Sequence, residues 1–366
     1  MQDEMILTAG PSITDLEIEY VNDAIRNGWN SNWNSYINQF EASFSEYIGT
    51  KHAVTTSSCT GSLHLALLAL GIGPGDEVIV PELTWIATAS CVAYVGATPV
   101  FCDIEETSWC LDPDTLEKCI TDNTKAIIPV HLYGHPANMP VIMDIAKKHD
   151  LFVIEDAAPS IGATIDQQKT GSFGHISCFS FQGAKVLVTG EGGMLVTNNS
   201  ELFSQVQYLG DHCRDSEKVL WNTGIGYKYK MSNLQAALGL AQLERIEELV
   251  DRKRWINETY HHYLDDVTEV QVSTEKPRCK SIHWMTSIEI ADIDNDRRLE
   301  IIRLLKERNI DSRPVFYPIS SMPMFASKPD NKVAYRVGHS SINLPSGHNI
   351  SKEQIEYICK ALITIL

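Results

Sequence analysis

Short runs of β-branched and apolar residues alternate with helical patterns between residues 53 and 200, and this alternation constrains the fold more than any other feature. The β-rich runs are AVTTS (53–57), EVIV (77–80), TPVFC (98–102), KAIIPV (125–130), LFVIE (151–155) and SCFSF (177–181). Helical patterns such as SLHLALLAL (62–70) and MPVIMDIAKKH (139–149) lie between them. This alternation of strand and helix patterns predicts βαβ units, and therefore an α/β fold with a mostly parallel sheet.

A different pattern begins near residue 234. A long amphipathic helix is predicted from Leu234 to about Arg254, with Ser232 and Gln235 as its capping box. The segments beyond it are a strand-like HWMTSIEI (283–290), a helix over 296–309, an extended stretch over 312–318 and a closing helix from about residue 352.

The length of 366 residues exceeds the size at which one core usually stops growing. We therefore predict a large domain over residues 1–250, which includes the N-terminal segment and the long helix, and a small α+β domain over residues 251–366. Ligands of open α/β sheets bind at the carboxyl ends of the strands. The loops that follow the strands are therefore the ones to search for a site.

The charge balance excludes some partners. Lys and Arg number 30 against 47 Asp and Glu, and the resulting net charge of −17 argues against binding to nucleic acid or to anionic membranes. The N-terminus MQDEMILTAG lacks a basic region followed by an apolar stretch, and no apolar run approaches the length of a membrane helix, so we expect a cytoplasmic protein. The nine cysteines show no C-x-x-C pair and no metal-binding spacing, which predicts free thiols and no metal site.

The first candidate loop is SSCTGS (57–62), which directly precedes a predicted helix. Small hydroxyl residues and glycine at a helix N-terminus leave backbone N–H groups free, which suits a phosphate. Cys59, Thr60 and Gly61 are the candidate residues in this loop. An ordinary N-cap would show the same pattern, and Cys59 could equally be a small packing residue.

The other two candidate loops contain a carboxylate and a lysine. Asp156 follows the apolar strand LFVI and Glu155, where a carboxylate can hold a metal, cap a helix or pair with a cationic nitrogen. Lys185 follows an aromatic strand end and a glycine, and it precedes the glycine-rich segment TGEGGM (189–194). Most lysines are surface charges, but glycines let the backbone approach a ligand closely. A lysine in a partly desolvated site can form a Schiff base.

A phosphate site, Asp156 and Lys185 have one joint explanation, which is pyridoxal 5′-phosphate (PLP). The aspartate would pair with the pyridinium nitrogen, and the lysine would bind the aldehyde. The motifs of other enzyme classes are absent from the sequence. No G-x-G-x-x-G follows the first strand, and there is no P-loop, no H-E-x-x-H and no G-x-S-x-G.

On these residues the sequence resembles the DegT/DnrJ/EryC1/StrS sugar aminotransferases, which have the PLP-dependent transferase fold of type I. The implied large domain has a mostly parallel, seven-stranded sheet flanked by helices. The resemblance spans nearly the whole chain in family order, and the matching segments are YIGTKHAVTTSSCTGSLHLALLALGIGPGDEVIVP, ATPVFCDIE, VHLYG, VIEDAAPSIGA, GSFGHISCFSF, TGEGGMLVTN, GYKYKMSNLQAALGLAQLERI, SRPVFYP and NLPSG.

The resemblance implies roles for three residues of the cofactor site. Lys185 should bind PLP and then act as the general acid and base that carries a proton between substrate and cofactor. Asp156 should keep the pyridine nitrogen protonated. Trp85 should stack on the ring, although it would otherwise be a core or interface aromatic.

The resemblance also implies a phosphate site that two subunits share. Thr60, Gly61 and the Ser180 hydroxyl resemble the phosphate ligands of the family. Asn233 resembles an asparagine that reaches the phosphate from the neighbouring subunit. The active unit implied by this match is a homodimer with shared active sites.

Arg313, Tyr317 and Ser320 lie in the segment that borders the substrate pocket in the family, although Arg313 could equally be a structural ion-pair partner. The sequence departs from the family pattern at three positions. Cys59 stands where glycine is usual, Pro159 replaces a Gln, Glu or His, and Ser320 replaces a frequent histidine. These departures concern the identity of the substrate more than the cofactor chemistry.

The activity implied by the resemblance is a two-step transfer. L-Glutamate converts PLP to pyridoxamine 5′-phosphate (PMP), and PMP aminates a keto or aldehyde sugar in amino-sugar biosynthesis of the lipopolysaccharide or O-antigen type. The match is closest to enzymes that aminate 4-keto-6-deoxy nucleotide sugars, but the opening TAGPSIT and the SSCT loop also resemble the transaminase that forms 8-amino-3,8-dideoxy-manno-octulosonate. Two remoter alternatives are a PLP-dependent sugar dehydratase, in which histidine replaces the lysine, and a regulatory protein without turnover.

Overall fold

The structure is a computed structural model and describes residues 4–366. Strands of this part of the chain form a seven-stranded, a four-stranded and a three-stranded sheet. The strands in chain order are β1 (His52–Thr56), β2 (Glu77–Pro81), β3 (Thr98–Cys102), β4 (Thr124–Ile127), β5 (Phe152–Asp156), β6 (Thr164–Ile165), β7 (Gln168–Lys169), β8 (Ile176–Ser180), β9 (Gly193–Thr197), β10 (Val270–Val272), β11 (Cys279–Lys280), β12 (Ser287–Ile290), β13 (Arg313–Pro314) and β14 (Ser341–Asn343).

Helices surround the sheets. Short 3-10 turns occur at Asn30–Asn32, Glu117–Cys119, Leu132–Gly134 and Ile319–Ser321. The α-helices in chain order are α1 (Asp15–Asn27), α2 (Ser35–Ile48), α3 (Cys59–Ala69), α4 (Ala87–Tyr94), α5 (Pro113–Leu116), α6 (Met139–Lys148), α7 (Ser200–Gly210), α8 (Asn233–Glu244), α9 (Ile246–Leu264), α10 (Asn295–Lys306), α11 (Lys332–Ser340) and α12 (Lys352–Ile365).

The large sheet has the order β1-β9-β8-β5-β4-β2-β3. The pairs among β8, β5, β4, β2 and β3 are all parallel, whereas β9 runs antiparallel to both of its neighbours, β1 and β8. The predicted α/β fold with a mostly parallel seven-stranded sheet is therefore confirmed. β5 is the middle strand, so its carboxyl end lies far from both edges of the sheet.

The strand β2 illustrates that both faces of the large sheet are covered. Val78, Ile79 and Val80 are fully buried, and successive side chains of a strand point to opposite faces. Ile79 packs in the core that contains the apolar face of α2, whereas Val78 and Val80 pack in the core that contains the leucines of α3. Both faces are thus covered, which explains why the strands consist of nearly continuous apolar runs.

The C-terminal part of the chain has its own sheet, in the order β10-β12-β14-β13, and all of its pairs are antiparallel. Its core combines Ile288 of β12 with Ile301 of α10 and Leu362 of α12. The proposed boundary at residue 250 lies inside α9. The division into domains of residues 1–250 and 251–366 stays a prediction.

The helix predicted over 234–254 is interrupted at Arg245. The prediction of a single continuous helix is therefore wrong. Arg245 ends α8 and precedes α9, with φ of −106° and ψ of 11°. Its guanidinium binds Glu17 of α1 at 2.7 Å, a long-range contact that the helical spacing could not indicate. The capping box of Ser232 and Gln235 is confirmed.

Three properties of residues 4–366 bear on the compositional predictions. No helix there is both long enough and apolar enough to cross a bilayer. Within the same residues, no group of three or more His, Cys, Asp or Glu side chains is arranged to hold a metal ion. All nine cysteines are free.

A substitution at Gly171, between β7 and β8, would test how tightly the residues around the large sheet are packed. Its φ is +91°, and a Cβ would lie 2.2 Å from Cζ of Phe179. Gly71 has a φ of +73°, but a Cβ there would meet nothing within 4 Å. We predict that Gly171→Ala lowers the free energy of unfolding by about 2 to 5 kcal/mol, because overpacking adds to the cost of the left-handed backbone. Gly71→Ala should lower it by only about 1 to 2 kcal/mol.

Urea denaturation of both variants beside the wild type measures these differences. Equal losses of stability in the two variants would show that the Phe179 ring moves aside without cost.

Candidate active site

A cavity of about 450 Å³ lies at the carboxyl end of β5, beside the N-termini of α3 and α4. The loop after β8 and two segments from beyond α9 also line it, so distant parts of the chain meet there. This is the position at which open α/β sheets bind ligands. The predicted site residues on its wall are Cys59, Thr60, Trp85, Asp156, Ser180, Lys185 and Arg313.

Asp156 is the last residue of β5, and it is buried at the cavity wall. Its Oδ2 accepts a hydrogen bond from the Thr88 hydroxyl at 2.8 Å, and its Oδ1 accepts one from the N–H of Ala158 at 3.2 Å. Burial raises the pKa of Asp156, while these two hydrogen bonds and the charge of Lys185 oppose the rise. A carboxylate has about four acceptor sites, so Asp156 can accept a further donor from the cavity.

Glu155 precedes Asp156, and its side chain points to the opposite face of the sheet. Three N–H groups of the turn 171–174 and the Ser177 hydroxyl donate to its buried carboxylate over 2.6 to 3.0 Å. His131 donates from Nε2 at 3.0 Å, because its Nδ1 accepts a backbone N–H. Burial acts to raise the pKa of Glu155, but the hydrogen bonds from His131 and from the backbone N–H groups outweigh it and hold this pKa below its usual value. These bonds fix the strand end that carries Asp156.

Lys185 is half-buried and belongs to the loop that follows β8. Its Nζ lies 3.6 Å from the centroid of the Trp284 ring. Burial lowers the pKa of Lys185 to about 8, and the negative charge of Asp156 acts in the opposite direction. An amine with such a pKa is partly neutral near physiological pH, so it can act as a nucleophile and as a base.

The N-terminus of α3 forms another part of the wall. Ser58 caps the helix, since its Oγ accepts a hydrogen bond from the N–H of Gly61 at 3.1 Å. The N–H groups of Cys59 and Thr60 belong to the first turn, where the helix offers them no acceptor. Together with the Ser180 hydroxyl at the end of β8 and the positive end of the helix dipole, they suit an anion such as phosphate.

Trp85 lies two residues before α4 and exposes 61% of its surface. Its ring centroid is 5.8 Å from that of Phe316, with an angle of 49° between the planes. A largely exposed indole on a cavity wall can stack on a flat ligand ring.

Two predicted cofactor residues lie off the wall of this cavity. Gly61 packs against the Tyr229 ring, where a Cβ would meet Cγ at 3.2 Å, so packing alone explains the glycine. Asn233, the first residue of α8, accepts the N–H of Tyr36 at 2.9 Å and donates to the carbonyl of Gly28 at 3.4 Å. Both polar ends of the Asn233 side chain are therefore engaged within their own subunit.

The three substrate candidates differ in their positions. Arg313 lies on the cavity wall, is mostly exposed, and pairs with a carboxylate at 3.4 Å. Tyr317 packs against Arg298, whose Cζ is 4.8 Å from the ring centroid, and Ser320 is buried with its hydroxyl bonded to a tyrosine hydroxyl. Phe316 lines the cavity in their place. The substrate contacts predicted for Tyr317 and Ser320 find no support in this geometry.

Thr88, Trp284 and Phe316 are site residues that the sequence analysis missed. Thr88 lies in the first turn of α4, three residues after Trp85, so its nearness in sequence to a predicted site residue was an available signal. Trp284 gives no local signal. Its indole Nε1–H donates to the carbonyl of Ala184 at 2.7 Å, across 100 positions of sequence.

The cavity therefore combines a buried carboxylate, an amine of lowered pKa, an anion site and an exposed aromatic face. PLP carries a ring nitrogen, an aldehyde, a phosphate and a flat ring, and each of these groups has a matching residue. The residues present fit this cofactor.

Comparison with known proteins agrees with the geometry. The sequence profile of the DegT/DnrJ/EryC1/StrS aminotransferase family matches residues 11–363. The chain is 42% identical over 353 residues to a GDP-perosamine synthase of Escherichia coli O157:H7, and the match covers 96% of each chain. It is 40% identical to a GDP-perosamine synthase of Caulobacter vibrioides, covering 99% of this chain and 98% of the relative.

The fold is also similar to that of solved enzymes. The PLP form of the putative sugar aminotransferase Spr1654 from Streptococcus pneumoniae matches with a TM-score of 0.93 and 28% identity, covering 99% of this chain and 98% of that one. Its PMP form matches with the same TM-score. The prediction of a PLP-dependent sugar aminotransferase is thus confirmed, and the chain belongs to the DegT/DnrJ/EryC1/StrS aminotransferase family.

Proposed function

We propose that this aminotransferase moves an amino group from L-glutamate to a 4-keto-6-deoxy sugar carried by a nucleotide, that it works as a homodimer, and that Lys185 holds the cofactor and moves the protons. The observation that carries the proposal is the placement of Lys185 and Asp156 on the wall of one cavity, both of them with pKa values displaced by burial. Perturbed ionisable groups that share a cavity are typical of catalytic sites.

Asp156 and Lys185 have complementary tasks in this proposal. When bound, PLP supplies an aldehyde that reacts with amines and a ring that accepts electrons. The carboxylate of Asp156 would hold a proton on the ring nitrogen, and Thr88 would keep that carboxylate oriented. The amine of Lys185 would hold the cofactor, and later take a proton from the substrate carbon and return it.

Other wall residues would bind and orient. The first turn of α3, with the Thr60 and Ser180 hydroxyls, would hold the phosphate, and Trp85 would cover one face of the ring. Arg313 is the cationic wall residue besides Lys185, and its exposed guanidinium would bind an anionic group of a substrate.

The acceptor is inferred from the relatives, because three of them at 37% to 42% identity are named GDP-perosamine synthase. The aldehyde of an 8-oxo octulosonate is the alternative acceptor.

Lys185 argues against a sugar dehydratase, because a histidine takes the place of the lysine there. A regulatory role also stays open, since one relative at 34% identity is named pleiotropic regulatory protein.

The homodimer is supported by an apolar surface between α7 and α8. Val219, Leu220 and Ile225 expose 88%, 96% and 94% of their surface. Soluble proteins seldom leave such side chains together in water. We infer that a second copy of the chain covers this surface. The contribution of Asn233 to the partner's phosphate site stays a prediction.

Amine formation tests the proposed activity. Purified enzyme with PLP and L-glutamate should aminate GDP- or dTDP-linked 4-keto-6-deoxy sugars, with the product identified by mass spectrometry. Lys185→Ala should slow this reaction by about 100-fold to 10,000-fold, because the acid and base is lost. Lys169→Ala, at a lysine that lies over the Tyr47 ring outside the cavity, should retain the wild-type rate.

Each of the other possible outcomes would support one of the alternative functions. Amination of the 8-oxo octulosonate alone would favour the second acceptor, and a deoxygenated sugar without an amine would favour dehydration. No product with any acceptor would favour regulation. Turnover at the wild-type rate in Lys185→Ala would refute the role of this lysine.

The Thr88 hydrogen bond predicts a pH effect. The Thr88 hydroxyl stabilises the ionised form of Asp156, so Thr88→Val should raise the pKa of Asp156 further. The affinity for PLP should then fall about tenfold near neutral pH, and the pH at which binding is half lost should move upward. Thr88→Ser keeps the hydroxyl and should behave like the wild type. Spectroscopic titration with PLP over a pH series measures both effects, and identical curves for the two variants would contradict the prediction.

The apolar surface predicts the effect of charge on assembly. Leu220→Glu combined with Ile225→Glu should yield monomers, because association would bury two unpaired carboxylates. Val141→Glu, on the partly exposed face of α6, is the matched control and should remain dimeric. Sedimentation velocity measures the masses. A double variant of dimeric mass, or a monomeric wild type, would rule out this surface as the dimer contact.

A further inference from the structure

Trp284 contacts the Lys185 segment in two ways. The face of its ring lies 3.6 Å from Nζ of Lys185, measured to the ring centroid. Its indole N–H donates to the carbonyl of Ala184, the residue before the lysine, at 2.7 Å. One side chain from the C-terminal part of the chain thus contacts both the backbone and the amine of the lysine loop.

Packing holds the Trp284 ring in place. Trp284 is buried, with 7% of its surface exposed. Its ring stacks on that of Tyr133, with centroids 6.0 Å apart and 25° between the planes. Tyr133 stacks in turn on Phe316 at 5.3 Å and 14°, and Phe316 meets Trp85 at 5.8 Å. The four rings form a continuous series of contacts from the exposed indole of Trp85, through Phe316 and Tyr133, to Trp284 beside the amine of Lys185.

The ring face has a chemical preference. An aromatic face attracts a cation through its quadrupole, indole does so most strongly, and the attraction grows where water is excluded. The amine of Lys185 is bound to the cofactor in one half of the proposed cycle, and it is free when the cofactor carries the amino group. A free amine that drifted across the cavity would be misplaced for proton transfer, since small errors of position cost large factors in rate.

We propose that Trp284 is a positioning residue, whose indole face receives the released amine of Lys185 and favours its protonated form. The inference rests on the proposed function of Lys185. Burial lowers the pKa of this amine, whereas the negative charge of Asp156 acts in the opposite direction. The ring face adds to the effect of Asp156, so that the amine can both give and take a proton near neutral pH.

The test measures the protonation of Lys185 directly. The enzyme is loaded with PMP, which leaves the amine of Lys185 free, and is labelled with trace acetic anhydride over a pH series. Mass spectrometry of the peptide that contains residue 185 gives the pH of half-maximal acetylation, and the exposed Lys352 is the internal reference for the reagent. Site-specific 5-fluorotryptophan at position 284 weakens the ring quadrupole and keeps both the shape and the N–H.

We expect fluorination at position 284 to move the midpoint to lower pH, and Trp284→Leu to move it by about 0.4 to 1.5 pH units. Trp284→Phe should fall between Trp284→Leu and the wild type. Fluorination of Trp255, whose ring lies 4.0 Å from the Arg252 guanidinium on α9, is the matched control and should leave the midpoint of Lys185 unchanged.

A midpoint that fluorination at position 284 leaves unchanged would overturn the inference, even if Trp284→Leu failed to fold, because the fluorinated ring preserves the packing. The proposed function has a separate test. If Lys185→Ala loses amine transfer while the fluorinated enzyme titrates like the wild type, the proposed function is supported and the proposed role of Trp284 is refuted. If Lys185→Ala turns over at the wild-type rate, the proposed role of Lys185 is refuted, and the role of Trp284 with it.

Discussion

Two consecutive carboxylates at the end of the central strand are the constraint on which the rest of the site depends. Burial of a charge is costly unless donors compensate it. Glu155 receives backbone N–H groups, a serine hydroxyl and His131, and therefore stays ionised and fixes the turn beneath it. Among residues 4–366, the donors to Asp156 are the Thr88 hydroxyl and one backbone N–H. The first carboxylate is satisfied by the fold, whereas the second keeps acceptor sites for a further donor from the cavity.

A lowered lysine pKa does not by itself identify the reactive lysine. Burial lowers the pKa of Lys253 to about 7, below the value of about 8 for Lys185. Lys253 lies on α9, where its ammonium donates to the carbonyl of Ser346, and it does not line the cavity. Lys185 differs because it shares a cavity wall with Asp156 and has an aromatic face against its amine. On the basis of this position beside a carboxylate and an open cavity, we propose Lys185, and not Lys253, as the reactive lysine.

Features that are determined by residues close together in sequence could be predicted from the sequence alone. Apolar runs predicted six of the seven strands of the large sheet, and their alternation with helices predicted the mostly parallel arrangement. The antiparallel strand β9 was not predicted, because it directly follows the glycine-rich segment. Asp156 and Lys185, which the structure places on the cavity wall, were predicted as candidates because each follows a strand at the edge where ligands bind. Trp284 and the break at Arg245 could not be predicted in this way, because each is set by a partner far away in sequence, the Ala184 carbonyl and Glu17 respectively. Family likeness predicts Tyr317 beside the substrate, and the structure packs this ring against the guanidinium of Arg298; the substrate contact stays a prediction.

The covalent bond between cofactor and lysine is the central claim, and peptide mass spectrometry after borohydride reduction of the PLP-loaded enzyme measures it most directly. The reduced cofactor should remain attached to the peptide that contains residue 185, in nearly every copy of the chain. An unmodified peptide at residue 185, with the cofactor mass on Lys253 or on no lysine, would contradict the assignment.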